Sequence, residues 1–425
     1  MVGIKVLADR NAGLYLFGVV ASGFGTTAMW LVSGIWVKSL TGSDSLAALT
    51  VFAMWAPVLA GPLLGTVADR VRRRPLLIAV NVTMALLLPS LLLLDSADRL
   101  WLLFCVLAVY GAGGVLQEAA EAALVAASVD RRLLADLSGL RMTASEGMKL
   151  IAPLVAAGLF ARFGGAAVAL LDAATFAMAA GVFALMRVRE VREQAPVRDA
   201  PGLRARTSAG VRFVWGSPVL RQLVAAGGAT MLLAGLNGAA LYAVADDVLG
   251  HPPAFAGMLY AAQGAGSVLV GLVAGPLLRR LPHRVFAAAG IALFSVAVAL
   301  RSLPYDAVAL SASGAIGLGL PCVLIAAMTA VQRETPDAVL GRAAASANTL
   351  LFAPNAVALA LGAGLVAVVD VRTLLPVVGA LGVAVAVWLT AVGRARERRD
   401  RRGRPAARLT EMRNPGADRA PWRET

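Results

Sequence analysis

The chain has 425 residues, of which 59% are hydrophobic and 15% charged, and its mean hydropathy is +0.76. So apolar a composition excludes an ordinary soluble domain and indicates an all-α polytopic membrane protein. The net charge of +14 could suit a nucleic-acid binder. Its arginines, however, cluster in membrane-flanking loops and a tail, where they report topology and contact lipid headgroups, so nucleic acid is not expected as a partner. Cys105 and Cys322 lie far apart inside apolar runs without CxxC spacing, which supports neither a disulfide framework nor a metal site. Met1 to Arg10 has no apolar core, so no cleavable signal peptide is expected.

Apolar runs near the 20 residues that a helix needs to cross a bilayer fall at 12–37, 46–66, 75–94, 100–125, 141–162, 166–186, 220–243, 254–278, 285–303, 307–329, 342–369 and 372–392. They predict twelve transmembrane helices in two pseudo-symmetric six-helix bundles. Between the second and third spans stands Gly65-Thr66-Val67-Ala68-Asp69-Arg70-Val71-Arg72-Arg73-Arg74-Pro75. Its four arginines cannot enter hydrocarbon cheaply, and short basic loops stay cytoplasmic. Loops of the same parity carry Arg131 and Arg132, the arginines between Arg187 and Arg221, Arg279 to Arg284, and Arg333, whereas the opposite loops carry little beyond Lys38, Arg99, Arg162, Arg301 and Arg372. This asymmetry places both termini in the cytoplasm and the protein in the cell (plasma) membrane. Asp69, an acid within a basic loop, needs a helix N-terminus or an arginine beside it.

The resulting plan is a cytoplasmic N-terminus (1–11), a first bundle (12–186), a linker (187–219), a second bundle (220–392) and a disordered basic tail (393–425). Within the linker, Leu203, Val211, Val214 and Trp215 form a helical stripe among arginines, which fits an interfacial amphipathic helix or, alternatively, an incidental stripe in a disordered connector. Ala60-Gly61-Pro62-Leu63-Leu64 recurs as Ala274-Gly275-Pro276-Leu277-Leu278 before the basic run at 279–284. The recurrence supports duplicated halves with a binding site at their interface near mid-membrane.

The spacing of Gly65, Asp69, Arg70, Arg73 and Arg74 resembles the G-x-L-A-D-R-x-G-R-R/K signature of the major facilitator superfamily, with Arg72 standing where many members have glycine. Gly210-Val211-Arg212-Phe213-Val214-Trp215-Gly216-Ser217-Pro218-Val219-Leu220-Arg221 is similar to the run before the seventh helix in its drug-exporter branch, the branch of macrolide and enterobactin efflux proteins. Leu171-Asp172-Ala173-Ala174-Thr175-Phe176 matches that branch in helix six. The resemblance implies alternating access, with Asp69 bracing a cytoplasmic gate at the start of helix eleven near Gly341-Arg342. It also implies a cavity walled by helices one, four, seven and ten. Candidates for that wall are Phe24, Trp30, Tyr110, Gln117, Asn237, Tyr242 and Met328, with Gln263, Asn348 and Asn355 beside them; such aromatic, thioether and amide groups suit a largely apolar molecule with a few polar handles. Where relatives often have P-A-R-x-A-L in helix four, this chain has Ala119-Ala120-Glu121-Ala122-Ala123-Leu124. An acid common in helix one is replaced around Thr26 and Thr27.

Ionisable groups inside spans are costly unless they face a cavity or a partner, which marks each as a functional candidate. Gln117, Glu118 and Glu121 share one face of helix four, while Glu146 and Lys149 follow in helix five at the same depth. Lys149 is expected to contact at least one of the three glutamates, either as a structural ion pair or as part of proton coupling. Asp172 is a further candidate, nearer the outer face. Ala152-Pro153-Leu154-Val155-Ala156-Ala157-Gly158 weakly resembles an antiporter motif and is foremost a kink and close-packing site. The expected function is export of a small organic molecule by proton antiport, by a monomer embedded in lipid, with the proton gradient as energy source and no cofactor. An importer or symporter of the same fold, and a membrane sensor or enzyme, are the alternatives. The absence of HExxH, GxSxG and P-loop sequences weighs against an enzyme.

Overall fold

The computed structural model describes residues 9–61, 64, 71–129, 133–186 and 211–402, and among these it contains helices and no strand. The first helix, α1 (Arg10–Thr41), starts where the Asp9 carboxylate accepts the Ala12 N–H at 2.8 Å and stops at Gly42, whose φ of 70° is left-handed. Such a cap at each end satisfies backbone groups that the helix leaves unpaired. Ser43 caps α2 (Asp44–Leu59) in the same way. There follow α3 (Arg73–Leu87), continued by a 3-10 turn over Leu88–Leu93, and α4 (Leu100–Ser128).

Among the described residues, ten helical stretches are long and apolar enough to cross a membrane. One of them, Gly147–Leu185, has 39 residues, which at 1.5 Å per residue is about twice the thickness of a hydrocarbon core. It cannot be one span. Gly164 breaks it with φ 76° and ψ 179°, a conformation open to glycine because no Cβ clashes there. The two resulting helices, α5 (134–163) and α6 (165–185), together with the shorter α2, complete the expected twelve. The second half comprises α7 (Pro218–Ala239), α8 (Ala256–Arg280), α9 (His283–Leu300), α10 (Asp306–Glu334), α11 (Asp337–Val368) and α12 (Val371–Arg402). Between α7 and α8 the chain runs through a π-helical turn, Val244–Val248. Successive helices alternate direction between two faces. The basic face carries 71–72, 281–282 and 335–336, and the opposite face carries 42–43, 164, 249–252 and 302–305.

Among the boundaries that differ from the sequence expectation, three have a local cause. Helix α5 begins at residue 134 instead of 141, and α11 begins at Asp337, immediately after Pro336; proline before and an acid within the first turn both favour a helix start. The third is the tail, expected to be disordered from residue 393, which instead continues α12 to Arg402, because nothing breaks the helix before Gly403 and Pro405. Of the linker's amphipathic stretch, residues 211–216 are helical, with Val214 buried and Trp215 44% exposed; 187–210 lie outside the described residues.

Small residues let the helices pack closely, as they must where lipid competes for apolar surface. A Cβ on Gly257 of α8 would meet Ala157 and Pro153 of α5, at 2.9 and 3.0 Å. The close-packing role expected for the Pro153 region is thus visible at the seam between the halves.

Candidate substrate cavity and gate

Two adjoining cavities of about 260 and 230 Å³ lie within the first six helices. Thr26, Gln117, Glu121 and Arg141 line both. Val80, Met84, Tyr110 and Phe176 give the larger cavity an apolar wall, and Met148 and Lys149 flank the smaller. Apolar walls with a few convergent polar groups are what small-molecule sites present.

On α4, Glu121 is 7% exposed and accepts hydrogen bonds from Gln117 Nε2 at 2.7 Å and Tyr15 Oη at 3.3 Å. Asn81 Nδ2 of α3 reaches Gln117 Oε1 at 3.4 Å. The helical spacing of four that joins Gln117 to Glu121 is the one read from the sequence. Facing Glu121 across the cavity is Arg141 of α5, a residue the sequence reading left at a span boundary. The signal that finds it is periodic: Arg141, Ser145 and Lys149 recur every four residues, so they share one face of α5, and all three line the smaller cavity with Glu121. Glu118 lines the larger cavity and is exposed. The side chain of Glu146 lies outside the described residues.

Asp172 of α6 has no exposed surface. Its Oδ2 accepts the Tyr110 hydroxyl at 2.8 Å and its Oδ1 lies 3.0 Å from Thr175 Oγ1. Tyr110 Oη is also 3.0 Å from Thr26 Oγ1. Helix α1 presses onto this carboxyl at Gly25, where an added Cβ would collide with Asp172 Oδ1 and Thr175 Oγ1. Among the described residues, its hydrogen-bond partners are hydroxyls and no ion pair reaches it.

The two halves meet toward the opposite face. Tyr242, after α7, donates to Leu31 O of α1 at 2.9 Å and fills a notch at Gly34, where a Cβ would overlap the phenol ring. Trp30 and Tyr260 pack with ring centroids 4.4 Å apart. Lys38 Nζ, 5% exposed, bridges Asp44 at 2.7 Å in its own half and Asp246 at 2.9 Å in the other. Nearer the basic face, Glu118, Arg141, Asn348 and Thr349 are exposed. The seam is therefore closed at the opposite face, while Glu118 and Arg141 of the cavity wall are exposed.

These positions redistribute the expected cavity wall. Tyr110 and Gln117 line it. Trp30 and Tyr242 lie in the seam between the halves instead, which their aromatic rings fill. Asn237 is buried and accepts from Arg301 Nη1 at 3.0 Å, and Asn355 is buried against Gly235. Met328 packs on the core of the second half. Gln263 is half-buried in α8, with its carbonyl against Gly317, and Asn348 is exposed on α11. Phe24 is half-buried in α1 beside the cavity-lining Gly23. Arg301, read from sequence as a loop residue, is 1% exposed, with Nε and Nη2 lacking hydrogen-bond partners among the described residues. Of the signature at the second loop, Gly65, Asp69 and Arg70 lie outside the described residues. Arg73 and Arg74 open α3, and Arg74 donates to the carbonyls of Phe183 and Ala184, satisfying the end of α6.

Two six-helix halves that meet at a seam, with buried carboxyls beside cavities in the first, are the architecture of a membrane carrier. The family model of the Major Facilitator Superfamily matches residues 15–351, and the chain belongs to that superfamily. No curated protein sequence matches it. Among solved structures it is similar to a POT family transporter in complex with a thioalcohol-conjugated peptide, with a TM-score of 0.70 at 10% identity over 91% of this chain and 96% of that one. It is also similar to the POT family transporter PepTSo, with a TM-score of 0.71 at 11% identity over 91% and 98%. A bacterial homologue of the iron transporter ferroportin, in an inward-facing state, gives 0.64 at 15% identity over 89% and 98%. At such identities the likeness is one of fold.

Proposed function

We propose that this chain is an efflux carrier of the superfamily's drug-exporter branch, moving a small, mostly apolar organic molecule outward in exchange for protons. The observation that carries the proposal is the pairing of the buried carboxyls Glu121 and Asp172 with a cavity of apolar and amide groups in the first half. A carboxyl in hydrocarbon without a counter-charge costs several kcal/mol, a cost that a bound proton removes, and export by exchange needs such a group within reach of the cargo. Arg141 and Lys149 offset Glu118 and Glu121 on the same walls, so the cavity has no surplus positive charge to select an acidic nutrient.

In this proposal the basic face is cytoplasmic, the protein works as a monomer in the plasma membrane, and the proton gradient is its energy source, without a cofactor. The state described is open to the cytoplasm. Asp69, with Gly65, Arg70, Arg73 and Arg74, braces the cytoplasmic gate in the other state, against the first turns of α11.

The test is expression in a pump-deficient host challenged with a panel of antibiotics and dyes. Resistance that a protonophore abolishes, together with acid-driven uptake of the same compound into everted vesicles, is expected. Protonophore-sensitive accumulation of the compound inside intact cells would replace export by import.

A further inference from the structure

A question left open by the exporter proposal is how a proton reaches Asp172, whose carboxyl has no exposed surface. The groups around it supply a route. Thr26 lines both cavities, and Tyr110 lines the larger one. Thr26 Oγ1, Tyr110 Oη and Asp172 Oδ2 follow one another at 3.0 and 2.8 Å. A phenol has one proton, so it cannot donate in both directions at once. With Asp172 ionised, Thr26 donates to Tyr110 and Tyr110 donates to Asp172. With Asp172 protonated, the same three oxygens hold the reverse order at the same distances. We infer that Thr26 and Tyr110 form a hydroxyl relay that loads and unloads a proton at Asp172 from the cavity.

The step balances without a co-reactant. A hydronium ion in the cavity gives a proton to Thr26 and becomes water, Thr26 gives its own to Tyr110, and Tyr110 gives its own to Asp172 Oδ2; two hydroxyls are restored and one carboxylate becomes a carboxylic acid. The surroundings hold the chain in register. Tyr110 is held edge-on by Phe176, with centroids 5.3 Å apart. Thr175 Oγ1 faces Asp172 Oδ1, which leaves Oδ2 for the relay. Helix α1 faces the carboxyl with Gly25 and Thr26. The titratable and charged groups elsewhere on the cavity walls are Glu118 and Glu121 of α4 and Arg141 and Lys149 of α5, and none of them is hydrogen-bonded to Asp172.

This inference rests on the proton-antiport proposal for its physiological role, but it is tested without transport. In the purified full-length chain, the carboxylic-acid C=O stretch is followed by infrared spectroscopy as pH is changed and as the protein is mixed rapidly with D2O. A pH-dependent band absent from Asp172→Asn is expected. Its deuterium shift should slow about 10²-fold in Tyr110→Phe and Thr26→Val, the scale of a lost proton-transfer group, and recover in Thr26→Ser. A purely structural hydroxyl cluster would alter the band's frequency in Tyr110→Phe and leave its exchange rate alone. That result, or an unchanged band in Asp172→Asn, overturns the relay. A parent protein that moves no protons in proteoliposomes would instead overturn antiport while the exchange measurement stands.

Discussion

Among the described residues, the buried charged ones in the first six helices are Lys38, Glu121 and Asp172; in the last six, the corresponding residue is Arg301. Glu121 lines a cavity and Asp172 is one hydroxyl away from it. Arg301 touches Asn237 and otherwise lies among packed helix ends. Close backbone approach is common to both halves: an added Cβ would strike the Gln263 carbonyl of α8 at Gly317 of α10, and the Met54 carbonyl of α2 at Gly111 of α4. The two halves thus share one six-helix plan, and the buried acids among the described residues lie in the first of them. A carrier that rocks needs only one half to hold the titrating group, provided the other half is stiff enough to move as a body.

The largest expected effect that would break this contrast is in the second half. Gly317→Leu forces side-chain atoms into the α8 backbone, and overpacking of this kind costs about 1–3 kcal/mol or more; folded, monodisperse protein should be lost in size-exclusion chromatography. Next, Glu121→Gln keeps the shape and the hydrogen bonds around Gln117 but removes a titrating oxygen. Acid-driven transport in everted vesicles should fall at least about tenfold with the folded yield unchanged, and parent-like transport would take Glu121 out of the chemistry. Arg301→Met should do the reverse, shifting the melting temperature by a few degrees while the pH profile of transport stays where it was. A moved profile would show that the second half also carries proton chemistry. The smallest effect concerns the seam. Asp246→Asn removes the ion pair that crosses between the halves while Lys38 keeps Asp44. Asp246 is 46% exposed, so solvent screens the pair, and the state open at the opposite face should gain only about two- to fivefold in population, read from the accessibility of a cysteine placed at Ala47 or Ala256, both buried in the cluster that joins the halves.

Some of this was legible before any coordinates. The spans, their alternation and the division into halves follow from hydrocarbon thickness and the cost of arginine in lipid, which act on local composition. Gln117 with Glu121 was readable because helical spacing is a local property, and Asp172 because an acid in an apolar run needs a reason. What each polar group faces was not readable, since a helix of known sequence has an unknown rotation about its axis until its neighbours are in place. Rotation put Trp30 and Tyr242 into the seam between the halves, buried Arg301, and set Arg141 opposite Glu121. It also brought Thr26, Tyr110 and Asp172, far apart in sequence and on three helices, to within hydrogen-bond reach. Sequence alone decided that this chain is an all-helical, multi-pass membrane protein and roughly where its spans lie, because insertion is a sum over neighbouring residues. Which carboxyl meets which hydroxyl, and at which face the halves close, was decided by tertiary packing, because those contacts join residues that no local pattern relates.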